Sequence, residues 1–287
     1  LRKIVFIISF QYLYLLTISF LKRKWKYIIF LRAMIDITSP KVIISFTDNN
    51  STMGELKKLY PDKLVISVQN GLRTENIVSC GWTESTLIPC YYGFGDYERC
   101  LMRTLNLKVN NYVIAGSLKM GLFLTNQRKN INANKYDICF ISFYRDKKTK
   151  PNPQIIQSLL DLNKELFQIV KNICMANNYS LCVALFSQRK SDDSRIDMNY
   201  EEEIEYYDTS NDSINIDYIP NSISEMGSYK TVLESNCTIG LRSTLLYESF
   251  GRGKRILLGN LLYKPENVYD KKLLSNMAGE NIIYEME

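Results

Sequence analysis

Polar and charged residues stand directly after several apolar runs, where a parallel α/β sheet presents its chemistry. Asp48 and Asn49 follow KVIISF, and Gln69, Asn70, Gly71 and Arg73 follow LVISV. Gly116, Ser117 and Lys119 follow YVIA. In the second half, Tyr144 and Arg145 follow YDICFISF, Gln188 and Arg189 come just after LCVALF, and Arg242, Ser243 and Thr244 follow CTIG. Such groups can move a proton, hold an anion and orient hydroxyls. Asn70-Gly71 also reads as an ordinary turn, since both residues tolerate positive φ. The chain has no histidine. That removes Ser-His-Asp and Cys-His catalysis, HExxH zinc hydrolysis and H-x-E deamination. Acid–base work falls to Asp, Glu, Lys, Tyr or Cys.

The sharpest local signal is RSTLLYESFGRGK, from Arg242 to Lys254. Ser243 or Thr244 would cap a helix whose first N–H groups point outward, and such an end beside an Arg favours a phosphate. Glu248 lies one turn beyond Thr244 on the same face and could accept hydrogen bonds from ribose hydroxyls. The plainer reading is an ordinary cap and a surface Glu. Gly251-x-Gly253-Lys254 is not a Walker A loop, because Glu248 stands in place of the first Gly and Arg255 in place of Ser/Thr. Gly93-Phe-Gly95-Asp96 is not a dinucleotide fingerprint. Seven cysteines, an odd count without CxxC, read as scattered buried thiols of a reducing compartment. No metal site is expected.

These residues must be positioned by a chain of 287 residues, 46% hydrophobic and 23% charged, enough for one large core or two modest ones. The net charge of +6 is split: residues 1–150 carry 23 Lys+Arg against 10 Asp+Glu, and 151–287 carry 13 against 20. The basic half suggests an anionic partner, namely a phosphorylated ligand, a lipid surface or nucleic acid. No nucleic-acid-binding signature supports the last. The chain begins at Leu1, so a fragment is expected, with an upstream strand or two missing. Residues 4–21 are almost wholly apolar and precede Lys22, Arg23, Lys24, Trp25 and Lys26. A short transmembrane span and a signal-peptide core are alternatives; the preferred reading is a buried or interfacial helix, its basic-aromatic tail suited to an anionic membrane.

Helices are expected over WKYIIFLRAMIDIT, STMGELKKLY, 155–177, 229–235 and 245–250. Strands are expected at 41–46 (buried on both faces), 64–68, 112–115, 136–143, 181–186, 214–219, 237–240 and 255–258. EEEIEYYDT, in an acidic stretch, reads as a solvated helix. The alternation gives two α/β domains, 1–125 and 136–287, joined by a polar linker at 126–135, with a cleft between them.

TDNN, VQNGLRT, FGDYE, AGSLKMG, EIEYY and RSTLLYESFGRGKRIL occur in this order. Together they resemble the bacterial surface-carbohydrate biosynthesis proteins, a glycosyltransferase-like group with two facing Rossmann-type domains (the GT-B arrangement). The resemblance covers roughly residues 35–260. It implies a metal-independent transferase, without cofactor, that moves a sugar from a nucleotide-sugar donor to a lipopolysaccharide or capsular glycan. It implies a donor site of Arg242, Ser243, Thr244 and Glu248, with Arg189 and Arg145 as further phosphate contacts. Asp48 is the expected base or nucleophile, and Asn49, Gln69, Asn70, Gly71, Arg73, Gly116, Ser117 and Lys119 are the acceptor-side residues. The expected place is the cytoplasm, at the inner face of the membrane. Many relatives use a histidine near the donor phosphate, and this chain has none. A polyol-phosphate transferase, a sugar-nucleotide epimerase and a non-catalytic assembly partner stay open as alternatives.

Overall fold

Two all-parallel sheets carry the chain, each built from short apolar runs with helices between them. The computed structural model describes residues 14, 27–48, 51–73, 86–127, 132, 134–144, 153–187, 200–208, 214–221, 226–241 and 243–259. The contacts divide the chain into two compact units between Ser117 and Leu118. The apolar run 4–21 and its basic tail lie outside the described residues except Tyr14. Among the described residues no helix is long and apolar enough to cross a membrane.

The first unit opens with α1 (Tyr27–Thr38), β1 (Val42–Ser45), α2 (Thr52–Leu59) and β2 (Leu64–Val68). It continues with β3 (Leu87–Ile88), β4 (Tyr91–Gly93), α3 (Asp96–Thr104), β5 (Lys108–Val109) and β6 (Tyr112–Ile114). The main sheet has the order β1-β2-β4-β6, and β3 pairs with β5 in a separate parallel ribbon. Ile35, Met53, Leu56 and Val65 form a core in which α1 and α2 cover one face of the sheet, with Ile43 packed against it. The expectation that the first strand is buried on both faces fails. β1 lies at the end of the sheet order, and Val42, Ile44 and Phe46 are 42, 58 and 54% exposed. Side chains alternate across a strand, so these three share the face opposite Ile43.

The second unit runs α4 (Leu118–Gln127), β7 (Tyr136–Ile141), α5 (Pro153–Asn177), β8 (Leu181–Ala184), α6 (Tyr200–Tyr207) and β9 (Ile216–Ile219). It ends with α7 (Gly227–Leu233), β10 (Ser235–Gly240), α8 (Thr244–Phe250) and β11 (Arg255–Leu258). α4 belongs here because Met120 and Phe123 are buried with Leu233 of α7. The boundary expected at 126–135 therefore stands one helix beyond the observed division; 128–131 and 133 lie outside the described residues.

The second sheet has the order β11-β10-β7-β8-β9. Counted from its own first strand this is 5-4-1-2-3, the doubly wound order, and the chain reverses direction between β7 and β10. Ile138, Phe140, Leu181, Val183 and Ile239 pack on one face with Leu166, Phe167, Val170 and Cys174 of α5. Cys139, Ile141, Cys182 and Ala184 pack on the other with Val232 of α7 and Leu245 and Leu246 of α8. Both faces are covered, which is why these strands read as unbroken apolar runs. Pro153 opens α5, where its missing N–H has no helical partner to lose. Cys139 and Cys182 are neighbours in the β7–β8 register, and a hydrogen bond to Cys182 together with burial pushes the Cys139 thiol well up. Among the described cysteines all are free thiols, and Cys100 alone is exposed.

Gly54 shows how tightly α2 meets the small ribbon. A Cβ there would stand 2.1 Å from the Leu87 carbonyl oxygen. Gly→Ala inside a helix ordinarily stabilises by about 1 kcal/mol. Gly54→Ala has the opposite sign, lowering stability by roughly 1–3 kcal/mol through overpacking. Calorimetric melting measures it, and a raised Tm would refute the close approach.

Candidate functional site

Parallel strands end on the same edge of their sheet, so the residues following β1, β2, β4 and β6 are gathered on one side of the first unit. Asp48, beyond β1, is 1% exposed. Its Oδ2 accepts from Arg73 Nε at 2.8 Å and from the Tyr91 hydroxyl at 2.6 Å. Its Oδ1 accepts from Arg73 Nη2 and from the Asn70 backbone N–H at 3.3 Å. The pair with Arg73 is bidentate, the geometry for which a guanidinium is suited. Arg73 Nη2 also donates to Asn70 Oδ1 at 2.7 Å, and Nη1 to the Leu72 carbonyl at 3.2 Å. Burial opposes the charge on Arg73, but the hydrogen bond and charge of Asp48 outweigh it and hold the guanidinium above its ordinary value. Burial, then the charge and hydrogen bond of Asp48, push the fully buried Tyr91 phenol far up.

Gln69, beyond β2, forms a second buried knot. Its Nε2 donates to Glu98 Oε1 at 3.0 Å and to the Gly71 carbonyl at 2.9 Å, and its Oε1 accepts from Phe94 N–H at 2.8 Å. Gly95 is the N-cap of α3, with Glu98 as the third residue of the helix, the position from which a carboxylate reaches back to the cap. Gly93 is required by its neighbour: a Cβ there would meet the Tyr112 hydroxyl at 1.8 Å, while that hydroxyl donates to the Gly95 carbonyl at 2.8 Å. FGDYE thus ties the ends of β2 and β4 together, a role that inspection of the motif as a phosphate fingerprint misses. Gly116 has φ +70 beyond β6, and Ser117 follows it. Lys119 is exposed on α4, in the second unit. Asn49 lies outside the described residues.

In the second unit the crevice at the direction change is flanked by Ser142–Tyr144 beyond β7 and by Leu241, Ser243 and Thr244 beyond β10. Ser243 caps α8 as expected: its Oγ accepts from Leu245 N–H at 3.2 Å. Glu248 is 8% exposed, and Tyr229 of α7 donates to its Oε1 at 3.3 Å. The surface-Glu alternative therefore falls. Burial and the Glu248 carboxylate push the Tyr229 phenol up. Lys254 Nζ donates to the Ser235 carbonyl at 2.9 Å, which puts it at the start of β10, away from the strand ends. Arg145, Gln188, Arg189 and Arg242 lie outside the described residues.

α6 forms where a solvated EEEIEYYDT helix is expected, but one face of it is buried. Tyr200, Glu203, Ile204 and Tyr207 recur at helical spacing and form an inward stripe, with Glu203 and Tyr207 fully buried. Glu203 Oε1 accepts from Phe186 N–H at 2.9 Å and from the Ser142 hydroxyl. Its Oε2 accepts from Ser187 N–H at 2.8 Å and from the Ser187 hydroxyl. Tyr207 donates to Ser142 Oγ at 2.8 Å, and Asn163 Nδ2 donates to the Tyr207 oxygen at 2.7 Å. The signal in the sequence was a Glu inside an otherwise apolar stripe, and a Ser close behind each of the two strands.

The sequence matches, over residues 66–265, the family described as "putative O-antigen biosynthesis protein". No curated protein matches it. Among solved structures it is similar to UDP-GlcNAc 2-epimerase from Neisseria meningitidis bound to UDP-GlcNAc, with a TM-score of 0.51 and 10% identity. That likeness covers 89% of this chain and 75% of the epimerase, and at this identity it shows a shared GT-B-like fold.

Burial holds the Glu98 carboxyl above its ordinary value of 4.5, against the opposing hydrogen bonds of Gln69 and the backbone N–H groups of Glu98 and Gly95. An acid raised in the fold ionises first in the unfolded chain. Its favourable contribution is full below the unfolded value and is lost as pH rises through the folded one. Wild-type stability relative to Glu98→Gln therefore falls as pH rises above 4.5 and levels off once Glu98 is ionised in the fold. Urea unfolding of both proteins across this range measures the difference, and a flat profile contradicts the burial argument.

Proposed function

The chain belongs to this O-antigen biosynthesis family, and from that premise we propose that it transfers a sugar from a nucleotide-linked donor to a growing lipopolysaccharide or related surface glycan. The observation that carries the reading is the doubly wound order of the second unit, which sets the ends of β7 and β10 side by side with the capped start of α8 between them and Glu248. Ser243 and Thr244 hold the donor phosphate there, and Glu248, exchanging the Tyr229 hydroxyl for a ribose hydroxyl, orients the nucleoside. A fold shared with an enzyme bound to UDP-GlcNAc supports a nucleotide-sugar ligand.

In the transfer, an acceptor oxygen forms a bond to the anomeric carbon while the bond from that carbon to the phosphate oxygen breaks. The hydroxyl proton passes to a base, and the phosphate leaves as an anion. A general base must be within hydrogen-bond reach of the acceptor hydroxyl whose proton it takes. Asp48, buried and met by donors on both oxygens, suits a different task from the base expected of it. In our reading it is a positioning residue, which fixes Arg73 and the Asn70 backbone for the acceptor side. The inner face of the cytoplasmic membrane, reached through the basic cluster Lys22–Lys26, is where the acceptor lipid would be met.

A second reading, sugar-nucleotide epimerisation, is favoured by the fold of the structural neighbour. Incubation with UDP-GlcNAc separates the two, because an epimerase changes the sugar without an acceptor and a transferase does not.

The first test is a thermal-shift titration with CMP, CDP, UDP, GDP and ADP. Binding to the folded state at a hundredfold excess over Kd adds about 2.7 kcal/mol. A shift with one nucleotide, lost in Glu248→Ala and reduced in Thr244→Ala, is the expected result. No shift with any of the five, from folded protein, contradicts the donor site. Asp48→Asn is expected to retain the nucleotide shift, lose turnover and lose about 3 kcal/mol of stability through the unpaired buried Arg73. Full activity in that variant would remove Asp48 from the mechanism.

A further inference from the structure

The Glu203 knot lies on the strand-end side of the second sheet and is not used by the donor contacts above. It has a property that a mere core contact lacks. Each carboxylate oxygen meets one backbone N–H, Phe186 on Oε1 and Ser187 on Oε2, so the main chain leaving β8 is clamped at two successive residues. Through the Ser142 hydroxyl, which receives the Tyr144 N–H at 3.1 Å, the same carboxylate also fixes the main chain leaving β7. The loop beyond β9 is drawn in as well, since Asn221 N–H donates to the Ser187 carbonyl at 2.9 Å.

Two aromatic side chains ride on this clamped backbone. Phe186 is 50% exposed, while Ala184 and Leu185 before it are 2 and 1% exposed. Tyr144 is half-buried, its ring 5.5 Å from that of Tyr206, with its hydroxyl donating to Glu202 Oε2 at 3.3 Å. β7 and β8 are hydrogen-bonded neighbours, and such strands lie about 5 Å apart. The two aromatics therefore leave adjacent strand ends: Tyr144 follows β7, which borders the crevice with β10, and Phe186 follows β8, one strand further from it. An apolar ring half in water on a clamped main chain has only its side-chain torsions left to lose on binding, which lowers the cost of ordering a contact there.

We infer that Phe186, with Tyr144 beside it, is the seat on which the flat base of the nucleotide stacks, and that Glu203 is the positioning residue that holds the seat. The inference rests on the reading that the ligand is a nucleotide. Stacking on an aromatic face tolerates any base, so the seat supplies affinity for a nucleoside rather than a choice among bases.

The test is isothermal titration of the full chain, wild type and variants, with the five nucleotides named above. Phe186→Ala is expected to weaken the nucleotide that binds wild type by about tenfold or more and to lower the melting temperature only modestly, because half of that side chain is already in water. Phe186→Tyr, which keeps a ring, is expected to stay within about threefold of wild type. The base protons of the bound nucleotide should move upfield in the NMR spectrum of wild type and not of Phe186→Ala. In Glu203→Gln an amide NH2 faces a backbone N–H whichever way it turns. That variant is expected to exchange the Phe186 and Ser187 amide hydrogens faster and to bind the nucleotide more weakly. Tight binding of a nucleotide by wild type and equally by Phe186→Ala overturns this inference alone. Unchanged exchange at those two amides in Glu203→Gln overturns the role of Glu203. Wild type that binds none of the five overturns the nucleotide reading and this inference with it.

Discussion

A carboxylate removed from water has to be met on its lone pairs by donors or faced by a cation, because leaving it unmet costs several kcal/mol. Both units are organised around such a group at the carboxyl edge of the sheet. In the first, Asp48 is met by a guanidinium, a phenol and a backbone N–H, which joins the ends of β1 and β2 to the start of β4. In the second, Glu203 is met by two backbone N–H groups and two serine hydroxyls, which joins the ends of β7 and β8 to α6. The first arrangement holds a buried ion pair at the strand ends, with only the Arg73 side partly open to water. The second contributes a main chain clamped at two successive residues. The two edges therefore offer different chemistry to a ligand, an electrostatic one and a shape-based one.

The sheets behind these edges differ in the same sense. The second is covered on both faces, by α5 on one and by α7 and α8 on the other, and its strands are almost continuous in apolar residues. Close packing of that kind has low compressibility, so the ends of β7, β8 and β10 keep fixed spacings. In the first sheet, β1 keeps three large apolar side chains on one face in water.

Much of this was legible in the sequence. The β-branched runs at 42–45, 64–68, 136–141 and 181–184 are strands, and Ser243 caps the helix that its position after CTIG implies. Two parallel α/β units follow from the alternation of strands and helices, and the GT-B-like class that the resemblance implied is borne out by the structural likeness. What escaped did so for physical reasons. β3, β4 and β5 have two or three residues each, too short to show a period, and α3 announces itself by a Gly cap instead of Ser, Thr or Asp. β1 has the composition of a central strand but the position of an edge one, and composition does not reveal position. Glu203 was hidden by its neighbours, since Glu201, Glu202 and Glu205 make the helix read as solvated when only the stripe at 200, 203, 204 and 207 faces inward. Tertiary pairing across 61 residues, as between Ser142 and Glu203, leaves no local mark at all.

The strand order has a bearing on how the protein comes into being. β7, β8 and β9 leave the ribosome in the sequence in which they pair, so one half of the second sheet can zip up as it is made. The opposite edge of β7 must wait for β10, which starts at Ser235, about ninety residues after Ile141. At roughly 5–20 residues per second that is a delay of about 5–20 s. Throughout it, an apolar strand has one row of main-chain groups unpaired. The crevice between β7 and β10 is consequently among the last features to form in the nascent chain, and the same interval is when a chaperone would find this protein most vulnerable to strand exchange with another copy.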